Sequence, residues 1–377
     1  MKKKILFLTS TRADYGKLKI LMKAVEKEKK FELYIFTTGM HMLSKYGSTY
    51  REVEKGKYKN IYKYINQKSD YSEQMDLILS NTIVGLSNYV SEVKPDLIVV
   101  HGDRLEALAG AIVGAFNNIK IMHIEGGEVS GTIDESIRHA ITKFSHFHLV
   151  ANDEAKNRII QLGENKDNIY VFGSPDIDIM YSNNLPSIEK VKDRYEISFN
   201  EYSILIYHPV TTEVDKLKER VKELVDGIIK SNLNYIVIYP NNDLGNEIIF
   251  NEYKRLENNN KIKFFPSMRF EYFLTLLKNS QFIIGNSSSG VREACVYGVP
   301  AIDVGNRQNG RYKNIDSIIH AKEDKVEILE AIANLKDRKF EPISYYGAGN
   351  SEEMFISILK DDNMWKESMQ KRFNDIN

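Results

Sequence analysis

A single cysteine, Cys295, leaves no possibility of an intramolecular disulfide or a cysteine metal cluster. No stretch approaches the ~18 apolar residues that a membrane-spanning helix needs. The basic start MKKKILFLTSTRADYG has an apolar run of about six residues, short of a signal peptide's hydrophobic region, and Arg12 and Asp14 follow at once. A cytoplasmic protein is expected. Net charge is missing too, with 52 Lys plus Arg against 52 Asp plus Glu. That balance gives no case for nucleic acid or an acidic membrane surface as partner, so any anionic ligand must be caught by a few placed cations. The loop after the first apolar run, TSTRADYG, has no glycine before Gly16. This excludes the GxGxxG fingerprint and argues against classical NAD binding; no GxxxxGKS/T phosphate loop occurs either. Low-complexity tracts and short repeats are absent.

What is there is a soluble globular composition, 42% hydrophobic and 28% charged over 377 residues, with room for two domains. The runs KILFLTST, FELYIFTTG, DLIVVHG, IKIMHIEGG and FHLVAN read as short strands bounded by Gly, Asp or Asn. Between them KLKILMKAVEKE, SEQMDLILSNTIVGLSNYVSEV and LEALAGAIVGAF read as helices. Near-continuous apolar strands alternating with such helices predict a parallel sheet covered on both faces. The rhythm loosens at IYVFGSPDIDIMYSNNLPS, which marks a domain crossing near residues 176–186. It resumes with YSILIYHP, NYIVIYPNND, IKFFPS, FIIGNSSSG and PAIDVG, with the helical TEVDKLKERVKELVDGIIK among them. The expected organisation is therefore α/β, with Rossmann-like units over 1–178 and 179–350. A C-terminal helix in 351–377 either ends the second unit or packs back on the first.

Ligands of open α/β sheets sit beyond the carboxyl ends of the strands, where strand order reverses. The charged clusters lie at such ends. HGDR and HIEGGE place Asp103 and Glu125 after strands expected to be neighbours, with both carboxylates entering one cleft. Strand-end burial would raise one carboxyl's pKa and nearby Arg104 would lower one, which can separate an acid from a base. Gly126 and Gly127 allow close approach of a backbone or a ligand. GTIDESIRHA reads as a helix start capped by Thr132 or Asp134, with Glu128 pairing in the loop. Arg12 can reach a phosphate bidentately, or simply pair with Asp14 on the surface. His208, ending YHPVTTE, is either a packing histidine or a site residue.

In GNSSSGVREACVYG an apolar strand runs into hydroxyl residues and then directly into a helix. Such a helix N-terminus can hold an anion, with Ser287 and Ser288 as added donors; plain serine capping is the alternative. Glu293, in the first turn or two, can accept from vicinal hydroxyls such as those of a ribose. DVGNRQNGR adds Arg307 and Arg311. A phosphate between a helix start and an arginine is a coherent picture that needs no metal.

Taken in order, TRADYG, HGDR, HIEGGEVSGTIDESIRHAITK, HPVTT, YPNND, GNSSSGVREA and GNRQNGR resemble the hydrolysing UDP-N-acetylglucosamine 2-epimerases of the bacterial sialic-acid and legionaminic-acid branch. The resemblance runs from about residue 4 to 315. It implies a fold of the glycosyltransferase-B type, with two Rossmann-like domains facing a cleft that holds the active site. It also implies conversion of UDP-N-acetylglucosamine and water to UDP and N-acetylmannosamine, without a cofactor. By the same resemblance Asp103 and Glu125 take the catalytic carboxylate positions, and Asp134 and His208 further active-site positions. Nucleotide contacts map to Arg12, Arg104, His208, Asn241, Ser287, Ser288, Glu293 and Arg307, with the backbone around Phe265 near the base. Gly16 stands where some relatives have serine, and no role attaches to Ser289 or Asn306. Homodimers or homotetramers are expected.

The resemblance leaves the sugar open. Some members use UDP-N-acetylglucosamine and others a nucleotide-linked 2,4-diacetamido-2,4,6-trideoxy sugar. The loop TGMHMLSKYG at 38–47 is a candidate for lining the C4 and C6 side. A glycosyltransferase of the same fold would have less use for paired strand-end carboxylates. The non-hydrolysing epimerases keep UDP on the product and differ around HIEGGEVSGTID, and a non-catalytic sensor would not require Asp103 and Glu125.

Overall fold

Thirteen short strands fall into two sheets in the computed structural model, which describes residues 2–68, 74–130, 133–182, 184–241, 243–312, 315–335, 338, 340–372 and 374–375. The chain forms two compact units. One comprises Met1–Glu128, Ile133–Ser182 and Tyr345–Asn377; the other comprises Val129–Thr132 and Asn183–Ser344. Among the described residues no helix is long and apolar enough to cross a membrane.

The first unit's strands are β1 (Lys3–Thr9), β2 (Phe31–Thr37), β3 (Ile61–Lys63), β4 (Leu97–His101), β5 (Lys120–Ile124), β6 (Phe147–Val150) and β7 (Ile169–Val171). They form one parallel sheet in the order β3-β2-β1-β4-β5-β6-β7. Their unbroken apolar runs follow from burial on both faces. Ile5 and Phe7 of β1 point into one core with Leu18, Met22, Val99 and Phe355, while Leu6 and Leu8 point into the other with Leu86, Ile98, Val100 and Ala107. A Cβ at Gly127 (φ +74°) would sit 2.3 Å from the Ala155 carbonyl oxygen, so the close approach expected of the glycine pair is to backbone.

The second unit's strands are β8 (Ser203–Ile206), β9 (Tyr235–Ile238), β10 (Ile262–Phe265), β11 (Ile283–Gly285), β12 (Ala301–Val304) and β13 (Ile318–Ala321). Their order, β10-β9-β8-β11-β12-β13, repeats the first sheet's winding, again all parallel. Strand order reverses between β1 and β4 in one sheet and between β8 and β11 in the other, the two places where such folds take ligands. Both units are thus Rossmann-like parallel-sheet domains of the kind paired in the glycosyltransferase-B type.

Three strands escape the sequence reading: β3, β7 and β13. All are sheet-edge strands of three or four residues, too short for periodicity to show. The helix expected from Lys17 begins at Arg12, because Thr11 and Asp14 form a capping box. The helix expected over 72–93 is Met75–Val93, and Ser72 and Glu73 lie outside the described residues.

Candidate active site

At the carboxyl end of the first sheet, β4 and β5 are hydrogen-bonded neighbours with His101 opposite Ile124, so Asp103 and Glu125 follow adjacent strands. Glu125 is 7% exposed and takes up φ +63°, a left-handed conformation unusual for a residue with a Cβ. Its N–H still donates to the Leu149 carbonyl at 3.0 Å, so pairing with β6 continues through the turn. The carboxylate is tightly held. Ser174 Oγ donates to Oε1 at 2.5 Å, Lys17 Nζ lies 3.3 Å from the same oxygen, and His101 Nε2 lies 3.3 Å from Oε2. Lys17 also faces the buried Asp176 at 3.5 Å. Asp103 is fixed by the guanidinium of Arg138, a fully buried arginine whose Nη1 donates to the Glu128 carbonyl at 2.9 Å.

Behind Asp103 stands His123. Its Nε2 donates to the Gly102 carbonyl at 2.8 Å, and its Nδ1 lies 3.2 Å from Thr142 Oγ1. Burial lowers its pKa to about 3, so the ring is neutral and its proton is fixed at Nε2.

Several expectations change here. The arginine on Asp103 is Arg138; Arg104 turns its Nε towards the buried Glu106, 3.7 Å away, because its side chain heads the next helix, Leu105–Phe116. Arg12 does not pair with Asp14. Its Nε donates to Glu52 at 3.1 Å and its Nη2 pairs with the same carboxylate, while Asp14 accepts from Ser10 N, Ser10 Oγ and Thr11 N at 2.9 to 3.1 Å. Asp134 lies in the first turn of the helix Ile133–Phe144, not at its cap, and Thr132 lies outside the described residues. In the 38–47 loop, His41 is buried between Thr9 and Thr49, and burial pulls its pKa to about 4.

At the carboxyl end of the second sheet the hub is Asn286, 1% exposed. Its Oδ1 accepts from His208 N at 2.7 Å and its Nδ2 donates to the His208 carbonyl at 2.8 Å. Its own carbonyl accepts from Arg307 Nη1 at 3.1 Å and Gln308 Nε2 at 2.7 Å. One asparagine thereby gathers the loops after β8, β11 and β12. The chain reaches it through Gly285 (φ +130°), where a Cβ would lie 1.9 Å from the Ile206 carbonyl oxygen.

Asn241 N donates to His208 Nδ1 at 3.1 Å. With that nitrogen accepting, the neutral ring carries its proton at Nε2 and offers a donor, not a base. Burial first, and then the Arg307 charge, pull its pKa well below the ordinary histidine value. Phe265 ends β10, with Tyr195 edge-on at 5.3 Å and its carbonyl accepting from Tyr239 N at 3.0 Å.

The single helix expected after GNSSSG is two four-residue pieces, Ser288–Val291 and Glu293–Val296, broken at Arg292 (φ −112°, ψ −76°). A four-residue turn sums few peptide dipoles, so anion binding here rests on individual donors. Ser287 Oγ caps the first piece by accepting from Ser289 N at 3.3 Å, and Glu293 is buried at the start of the second. Arg311 spends its Nε on the Val129 carbonyl and its Nη1 on Gln308 Oε1 at 3.0 Å, so of the two arginines in this loop it is Arg307 that joins the hub. Arg138, Lys17, Ser174, His123, Asn286 and Gln308 had no role in the sequence reading. Most lie inside the quoted motifs, yet only the contacts single them out.

A family model described as UDP-N-acetylglucosamine 2-epimerase matches residues 23–360. The chain is 46% identical over 379 residues, covering all of both chains, to the UDP-N-acetylglucosamine 2-epimerase of Neisseria meningitidis serogroup B. It is 32% identical over 364 residues, 96% of each chain, to the UDP-N,N'-diacetylbacillosamine 2-epimerase (hydrolyzing) of Legionella pneumophila. Among solved structures, the Methanocaldococcus jannaschii UDP-GlcNAc 2-epimerase in complex with UDP-GlcNAc and UDP superposes with a TM-score of 0.81 at 24% identity, over 95% of this chain and 99% of that one. That likeness is one of fold.

Proposed function

The chain belongs to the UDP-N-acetylglucosamine 2-epimerase family, and on that footing we propose that it is a hydrolysing 2-epimerase that turns UDP-N-acetylglucosamine and water into UDP and N-acetylmannosamine for sialic-type acid synthesis. The observation that carries the chemistry is the pair of carboxylates, Asp103 and Glu125, after adjacent strands, one braced by a buried arginine and the other by a lysine, a serine and a histidine.

The C2 proton of this sugar is not next to a carbonyl, so direct deprotonation at neutral pH is closed. Elimination avoids the difficulty. The C1–O bond breaks, its electron pair leaves with UDP, and a carboxylate takes the C2 proton, leaving a C1=C2 glycal. Water then adds its oxygen at C1 and a proton arrives at C2 on the face that gives the manno product. Asp103 and Glu125 serve as proton acceptor and donor, with Asp134 a further active-site group. The departing diphosphate is stabilised by Arg307, the Ser287–Ser288 donors and the Nε2–H of His208. Glu293 accepts from the ribose hydroxyls, Asn241 and the backbone at Phe265 face the nucleoside, and Arg12 and Arg104 complete the nucleotide contacts. No step calls for a cofactor or metal, and the working form is a homodimer or homotetramer.

The likeness to the Legionella pneumophila enzyme supports a second reading, the same reaction on a nucleotide-linked N,N'-diacetylbacillosamine. Product NMR after incubation with each sugar nucleotide decides. Free N-acetylmannosamine with equimolar UDP is the expected result. UDP-N-acetylmannosamine as product would overturn the hydrolytic step, and turnover of the diacetamido substrate alone would favour the second reading.

A further inference from the structure

The helix Ile133–Phe144 meets the Asp103 position twice. Midway along it Arg138 grips the Asp103 carboxylate. Near its end Thr142 Oγ1 contacts His123, which in turn donates to the carbonyl of Gly102, the residue before Asp103. The helix terminus is closed by a residue more than two hundred positions further on. Lys371 Nζ lies within hydrogen-bonding distance of the carbonyls of Thr142 at 3.3 Å, Lys143 at 2.9 Å and Ser145 at 2.5 Å, and of Glu164 Oε2 at 2.6 Å, four acceptors sharing its three N–H groups. Thr142 and Lys143 lie in the last turn and Ser145 just beyond it; the Thr142 carbonyl also accepts from Ser145 N at 3.1 Å, so the ammonium sits at the negative end of the helix, where a cation binds best.

The segment that delivers Lys371 is itself tied to the sheet. Lys120 Nζ donates to the Glu367 carbonyl, and His146 Nε2 to the Met369 carbonyl at 3.1 Å. Since His146 Nδ1 accepts from Ile121 N at 3.2 Å, the ring's proton is committed to that second bond. Thr142 and Lys143 follow Arg138 by four and five residues, about 6 to 8 Å along the axis at ~1.5 Å per residue. Over so short a span a helix transmits displacement as a rigid rod.

We propose that Lys371 is a positioning residue for Asp103: its ammonium clamps the end of the helix that holds both the Asp103 side chain, through Arg138, and the Asp103 turn, through Thr142 and His123. The proposal rests on the reading of Asp103 as a reacting group.

Lys143 supplies the control. Its Nζ also pairs with Glu164, at 2.7 Å from Oε1, but it donates to the Leu162 carbonyl and not to the helix end. Lys371→Met, Lys371→Arg, Lys143→Met and Asp103→Asn are assayed together for UDP release from UDP-N-acetylglucosamine. Lys371→Met is expected to lower kcat roughly ten-fold, within the ~10²-fold that a 1 Å misplacement can cost, with KM and UDP affinity changed less than about two-fold. Lys371→Arg restores most of the rate, and Lys143→Met stays within about two-fold of the parent. In an Arg138→Lys background the further effect of Lys371→Met shrinks towards nothing, because both act on one carboxylate. Unchanged kcat in Lys371→Met beside an inactive Asp103→Asn overturns the clamp. So does an equal loss in Lys143→Met, which would assign the effect to Glu164. Full turnover by Asp103→Asn would instead sink the functional reading. If Lys371→Met does not fold, Lys371→Gln, which keeps N–H donors without the charge, is read by the same criteria.

Discussion

Replacing Asn286 by alanine tests how the second unit assembles its ligand groups. The change removes an acceptor from His208 N–H and a donor from the His208 carbonyl, both made by a side chain 1% exposed. Each backbone group left without a partner costs about 1–3 kcal/mol. Because His208 is only partly buried and water can reach part of the gap, we take about 1–2 for each, or about 2–4 kcal/mol in all. The Asn286 carbonyl, which anchors Arg307 and Gln308, survives the substitution. The loss therefore falls on the His208 loop while Arg307 keeps its place. Urea unfolding should show the second unit's transition moved down by that amount. Calorimetric titration with UDP should show roughly ten-fold weaker binding, equivalent to ~1.4 kcal/mol. An Asn286→Ala protein that unfolds within about 0.5 kcal/mol of the parent and binds UDP equally well would refute the hub.

Asp103→Asn and Glu125→Gln should each lower kcat on the order of 10²-fold or more while UDP binding by calorimetry stays near the parent value, and near-normal turnover in either removes that residue from the chemistry. Gly285→Ala combines φ +130° with a Cβ placed 1.9 Å from the Ile206 carbonyl oxygen, so a thermal melt should show the second unit destabilised by about 3 kcal/mol or more; a normal melt would mean β11 can shift. Stability should also fall with acid. His41 and His123 have folded pKa values lowered to about 4 and about 3, and His146 and His148 are lowered too, so below the unfolded value near 6.5 the unfolded chain binds more protons. Their contribution is complete above that pH and is lost as pH drops towards the folded values, at up to ~1.4 kcal/mol per pH unit for each ring. Urea midpoints between pH 7 and 5 should show this slope for the first unit, and His123→Gln should flatten it by about one proton; an unchanged slope would show that His123 titrates normally.

Fold class was legible because parallel strands buried on two faces must be apolar throughout, as in KILFLT and LIVVH, and because helices of matching length intervene. The strand ends carrying Asp103, Glu125, His208 and Ser287 could be located for the same reason: burial stops where the run stops. The capping box at Thr11 and Asp14 is equally local but escapes the sequence reading, which sets Asp14 against Arg12 and expects the helix only from Lys17.

What the sequence could not decide is which group each charge meets. Arg104 adjoins Asp103 in the chain, yet the guanidinium on that carboxylate comes from Arg138, because an amphipathic helix carries Arg138 on its buried face to a residue 35 positions away while the next helix carries Arg104 towards Glu106. Arg12 finds Glu52 by the same logic. Asn286 and Lys371 look like ordinary loop and tail residues until packing puts one between three strand ends and the other on a distant helix terminus. Local pattern follows from burial and backbone geometry, which act within a few residues. Ion pairing and hydrogen bonding act through space, so their partners belong to the tertiary structure alone.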